Sequence, residues 1–183
     1  MSIPRIVVLV GLMGTGKTTI ARGLARHFSA DVLDTDRLVE IRAGKSVRDI
    51  FSNDGEDAFR DLESEVLAEC LRSPGRAIVA GAGGVVLRED NRRALNAGRH
   101  AGDVVVVWLH ARPEVLVGRT KKGSHRPLLD NDHEGTLRRM AEERAPMYSG
   151  VADVVVDVSD RSAESVIALV IDALTVAESE SAG

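Results

Sequence analysis

The glycine-rich loop Gly11-Leu12-Met13-Gly14-Thr15-Gly16-Lys17-Thr18 reads G-x-x-x-x-G-K-T and is the stretch best suited to chemistry. Glycines at 11, 14 and 16 let the backbone turn with its N–H groups inward, and without Cβ atoms a polyphosphate can approach closely. Lys17 is placed to reach the β- and γ-phosphates, and the Thr18 hydroxyl to ligate a magnesium ion bridging them. Thr19, one residue past the consensus, is expected to cap or pack. Asp34 and Asp36 are the second candidates. On an extended strand their i, i+2 spacing turns both carboxylates to one face, at the carboxyl end where open α/β sheets bind ligands.

These groups need a frame, and the flanking sequence supplies it. The β-branched run over 7–10 predicts a strand feeding the loop, and apolar residues at helical spacing over 20–28 predict the helix after it. An anion at that helix N-terminus meets unpaired N–H groups and the helix dipole. Further strands are expected over 31–36, 77–80, 103–109 and 154–158. Continuous apolar runs such as 103–109 indicate strands covered on both faces, so the sheet is read as parallel. Helices are expected over 37–41, 47–51 with Ser46 as N-cap, 56–71, 89–97, 114–120 with Pro113 in its first turn, 134–147 and 162–176. The polar, basic, glycine-bearing stretch 121–132 reads as a mobile loop. Residues 178–183 read as a disordered tail. The expected architecture is a three-layer α/β nucleotide-binding fold on five parallel strands, one domain over 1–177.

At 183 residues, with 44% hydrophobic and 28% charged residues, the chain has the make-up of an ordinary soluble domain. A net charge of -4 points away from nucleic acid and membrane partners. The single cysteine, Cys70, excludes an internal disulfide, fits a reducing compartment and lies in a helical apolar pattern, so a core role is expected. The apolar residues ahead of the glycine loop are too few for a signal peptide or membrane span, and a cytoplasmic location is expected. On these grounds alone, a kinase, a hydrolase switch and a nucleotide-gated regulator all remain open.

Five segments in order narrow the choice. The glycine loop through Thr19, Leu33-Asp34-Thr35-Asp36, Asp54-Gly55-Glu56-Asp57-Ala58-Phe59-Arg60, Arg126-Pro127-Leu128-Leu129 and Glu143-Arg144-Ala145-Pro146-Met147-Tyr148 resemble the shikimate kinases in order and spacing. The resemblance implies a P-loop kinase fold and ATP-dependent phosphorylation of the 3-hydroxyl of shikimate by a cytoplasmic monomer. It implies nucleotide contacts from Gly14, Thr15, Gly16, Lys17, Thr18 and Thr19, with Thr18 and Asp34 on Mg2+. Asp36 is implied to bind substrate hydroxyls and to accept a proton, and Arg60 and Arg144 to bind the substrate carboxylate, which suits a planar guanidinium fork. Gly81, Ala82 and Gly83 are implied to approach substrate. Arg126 resembles a lid arginine that closes on the transferring phosphates, and Arg119 and Arg161 flank adenine.

The residues taken alone allow other roles. Arg60 could make a helix-surface ion pair with Glu56 or Glu63, and Arg144 a similar pair with nearby acids. Where the family has three consecutive glycines this chain has Gly81-Ala82-Gly83-Gly84, placing a methyl group where substrate is expected. A kinase acting on another carboxylated polyol or cyclitol, such as gluconate, stays open, as does a nucleotide-binding regulator without turnover.

Overall fold

The apolar run Ile6–Val10 is a strand, β1, buried at every position. In the computed structural model, which describes residues 4–120 and 132–181, β1 is the middle strand of a five-stranded sheet. Its companions are β2 (Asp31–Asp34), β3 (Ala77–Ala80), β4 (Val104–His110) and β5 (Val154–Asp157), in the order β2-β3-β1-β4-β5. Every pairing is parallel, with Leu9 opposite Ala80 on one side and Val107 on the other. Parallel strands covered on both faces need apolar side chains all along, which is why β1 and β3 carry no outward polar position.

The helices are α1 (Lys17–Phe28), α2 (Thr35–Ala43), α3 (Val47–Asn53), α4 (Gly55–Leu71), α5 (Glu89–His100), α6 (Pro113–Thr120), α7 (His133–Val151) and α8 (Ala163–Ser181). They complete a three-layer α/β fold. Ser46 caps α3 as expected, its hydroxyl accepting from Asp49 N at 3.1 Å. Cys70 is buried in α4. α1 packs on α8 so closely that a Cβ on Gly23 would stand 2.2 Å from Ile167 Cδ1.

Two boundaries differ from expectation. The strand read over 31–36 ends at Asp34, because Asp34 N-caps α2 by accepting from Arg37 N at 3.4 Å. Asp34 and Asp36 therefore do not share a strand face; Asp36 sits in the first turn of a helix, where a carboxylate is favoured. α8 runs to Ser181, so helix reaches into the segment read as a polar tail. The loop read over 121–132, with Arg126, lies outside the described residues except for Asp132, which N-caps α7. No helix among the described residues is long and apolar enough to cross a membrane.

Candidate active site

All five strands run the same way, so the loops after β1, β2 and β3 leave the sheet at one edge, and there they wall a cleft of about 410 Å³. The first wall is the glycine loop. Gly14 and Gly16 take φ of 85° and 89°, a region open to glycine at little cost. Gly16 caps α1 with no side-chain bond, which leaves the first N–H groups of the helix for an anion. The buried Thr15 hydroxyl donates to Leu12 O at 2.8 Å and braces the turn. Lys17 Nζ donates to the Gly11 and Leu12 carbonyls at 2.8 and 2.9 Å, so the ammonium is held over the loop itself. Thr19 neither caps nor packs; it is exposed and lines the cleft.

The second wall is the β2–α2 junction. Thr18 Oγ1 donates to Asp34 Oδ2 at 2.8 Å, which sets a hydroxyl and a carboxylate side by side. This hard-oxygen pair fits magnesium, which is held by one or two protein groups and completes its shell with water and phosphate oxygen. Asp36 lines the same cleft. Its pKa is pushed up to about 6, chiefly by burial and then by Asp34 and Glu40, against the pull of Lys17 and Arg60.

The third wall carries the two arginines. Arg60 is only 5% exposed and does pair with Glu56 and Glu63, but not on a surface. Glu63, fully buried, receives Arg60 Nη1 on both oxygens at 3.1 and 3.0 Å, and Glu56 accepts from Nε and Nη2. The Arg60 guanidinium also lies 5.1 Å from the Phe59 ring centroid. Burial pushes the Glu63 carboxyl up to about 7 against the attraction of Arg60. Arg144 makes no ion pair with an acid among the described residues, so the alternative raised for it is not realised. Instead its Nη1 donates to Gly83 O at 3.1 Å, and its buried Nε has no partner among the described residues. Tyr148, buried one turn further along α7, donates its hydroxyl to the same carbonyl.

The backbone donors of the loop after β3 can be counted. Gly81 N–H goes to Leu9 O at 3.0 Å, Ala82 N–H to Thr35 Oγ1 at 2.8 Å and Val85 N–H to Ala82 O at 3.1 Å. Among the described residues the N–H groups of Gly83 and Gly84 have none. Ala82 does not take positive φ, since Ser29 is the one non-glycine residue described that does, so its methyl carries no backbone strain. Its N–H is already engaged, however, and the donors left for a ligand are those of Gly83 and Gly84. A Cβ on Gly84 would stand 2.0 Å from Arg60 Nη1, whereas one on Gly83 meets nothing nearer than 3.5 Å.

Arg119 reaches the cleft from α6, its Nη2 held by the Val158 and Ser159 carbonyls at 2.9 and 3.2 Å. Arg161 is exposed, bonded through Nε to Asp157 O, and is not among the cleft-lining residues. The two stand at the same β5–α8 loop. Thr35, Glu63, Gly84 and Tyr148 belong to the site although the residue reading gives them no role in it. Thr35 and Tyr148 lie inside segments quoted above, yet only the fold shows that their hydroxyls meet the loop after β3.

Comparisons with known proteins point to one family. A family profile described as shikimate kinase matches residues 13–175. A shikimate kinase of Symbiobacterium thermophilum is 44% identical over 171 residues, 92% of this chain and 95% of that protein. One of Pseudomonas putida is 40% identical over 93% of this chain and 96% of its own. A shikimate kinase from Acinetobacter baumannii, solved in complex with shikimate, superposes with a TM-score of 0.89 at 30% identity, covering 96% of this chain and 94% of that one.

Proposed function

The chain belongs to the shikimate kinase family, and from that premise we propose how its residues divide the transfer of the ATP γ-phosphoryl group to the 3-hydroxyl of shikimate. It is an ATP-dependent phosphotransferase, so the work to be divided is positioning and charge neutralisation. The N–H groups of the glycine loop and the α1 N-terminus take the β- and γ-phosphates, and Lys17 swings from the Gly11 and Leu12 carbonyls onto them. Arg119 lies against adenine, with Arg161 on the rim. Thr18 and Asp34 hold Mg2+, which supplies charge neutralisation at the phosphates. Arg126, outside the described residues, is the further cation the reading assigns to the transferring phosphates.

At the other end, Arg60 and Arg144 take the shikimate carboxylate, and the orphan Nε of Arg144 is a buried donor that such a ligand satisfies. Gly83 and Gly84 N–H groups stand on the same wall. Asp36 orients the 3-hydroxyl: its oxygen attacks the γ-phosphorus, the bond to the β–γ bridging oxygen breaks, ADP leaves, and the hydroxyl proton passes to the Asp36 carboxylate. A carboxyl with its pKa near 6 suits that exchange. The reading calls for a monomer as the working unit and for the cytoplasm as its compartment.

The observation carrying the reading is that one cleft has a phosphate end at Lys17 and a carboxylate end at two buried arginines. An acceptor that is both hydroxylated and carboxylated bridges the two. Coupled ADP release from purified protein tests it: release is expected with shikimate, and release with gluconate but not shikimate overturns it.

A further inference from the structure

The β2–β3 ladder ends at the pair Asp34 and Ala80, because from Thr35 onward the chain is helical. One residue past that last pair, the Thr35 side chain takes over. Its hydroxyl, fully buried, accepts from Ala82 N at 2.8 Å and leans on Ala80 O at 3.4 Å. It does not cap α2, since the Asp34 carboxylate does that. A side chain thus supplies the rung that the backbone can no longer supply.

We infer that Thr35 is a positioning residue for the acceptor: its hydroxyl locks the loop after β3 onto the turn that carries Asp34 and Asp36. The lock fixes two things at once. It consumes the Ala82 donor, so that Gly83 and Gly84 are the residues left to donate to a ligand, and it sets their wall of the cleft in register with Asp36. Thr35 is bonded to neither Lys17 nor the glycine loop, and Asp34 is held from the nucleotide side by Thr18, so the phosphate cradle keeps its own contacts without it. A branched side chain suits the task because its χ1 is stiff. This assignment rests on the reading of the cleft as a shikimate site.

Thr35→Val keeps the shape, removes the hydroxyl and leaves the Ala82 N–H buried and unpaired. The expected result is a rise in shikimate KM of about tenfold or more, with ATP KM within about twofold of wild type. Thr35→Ser restores the hydroxyl and is expected to bring shikimate KM back to within about threefold of wild type. An unchanged shikimate KM in Thr35→Val, an ATP KM that rises in step, or a serine variant as impaired as the valine one overturns the assignment. Amide hydrogen exchange on the unliganded wild type covers the case in which Thr35→Val does not fold. Ala82 N–H is expected to be protected while Gly83 and Gly84 exchange readily, and equal exchange at the three positions overturns the assignment. Because exchange is read without substrate, it tests the Thr35–Ala82 lock even if shikimate is not the acceptor, whereas absence of ADP release with shikimate is a failure of the functional reading.

Discussion

Arg60 is pinned by two glutamates while almost wholly buried, and this decides what a methyl group at position 84 must do. The Cβ of Gly84→Ala overlaps Arg60 Nη1, so the guanidinium has to shift from its place at the carboxylate end of the cleft. Shikimate KM is expected to rise by about tenfold or more, and ATP KM by little, in steady-state kinetics; a variant with wild-type KM for shikimate removes Arg60 from the acceptor site. At the phosphate end, Lys17→Met is expected to lower turnover by more than about tenfold with an unchanged far-ultraviolet circular dichroism spectrum, since Lys17 stands on the cleft and not in the core. Arg60 also marks how far a sequence speaks for a residue. The ion pairs with Glu56 and Glu63 follow from helical spacing alone, but spacing does not say whether that helix face meets solvent or a cleft.

At the scale of elements, β3 and β4 were legible because strands covered on both faces must be apolar along their length, and 77–80 and 104–109 are. The β2–α2 junction was not. Asp34-Thr35-Asp36 reads equally as a strand end or a helix start, and the choice is made by the Asp34 cap and by the long-range bond from Thr35 to Ala82. Close helix packing was equally hidden. Gly23 lies within a good helical pattern, and its value appears only once Ile167 of α8 is seen against it. Gly23→Ala is expected to overpack that contact and destabilise the fold by about 1–3 kcal/mol in urea titration, despite alanine's better helix propensity. Ile167→Val in the same chain, by shortening the opposing side chain, is expected to recover part of the loss.

For the whole molecule, the strand order β2-β3-β1-β4-β5 brings Lys17, Asp36 and Arg60 together although no local pattern shows that β3 and not β2 lies beside β1. Burying charge to build such a cleft leaves a mark on stability. Glu63 holds its proton more tightly folded than unfolded, so its contribution is present below about pH 4.5 and is lost as pH rises through about 7. Glu63→Gln removes this titration. The stability of that variant relative to wild type is expected to improve between about pH 5 and 7.5 in urea titrations; a constant difference means that Arg60 keeps the carboxylate ionised throughout.

Trp108, the single tryptophan, stacks on Tyr148 with ring centroids 5.6 Å apart, and Tyr148 in turn holds Gly83 O. The molecule therefore carries an optical gauge wired to its acceptor wall. Shikimate binding, by drawing on Arg144 and Gly83, is expected to change tryptophan emission without any added dye, while Tyr148→Phe, which keeps the ring but cuts its link to the carbonyl, is expected to mute that response. Emission from Trp108 then offers a readout of acceptor occupancy that is independent of turnover, and so of ATP.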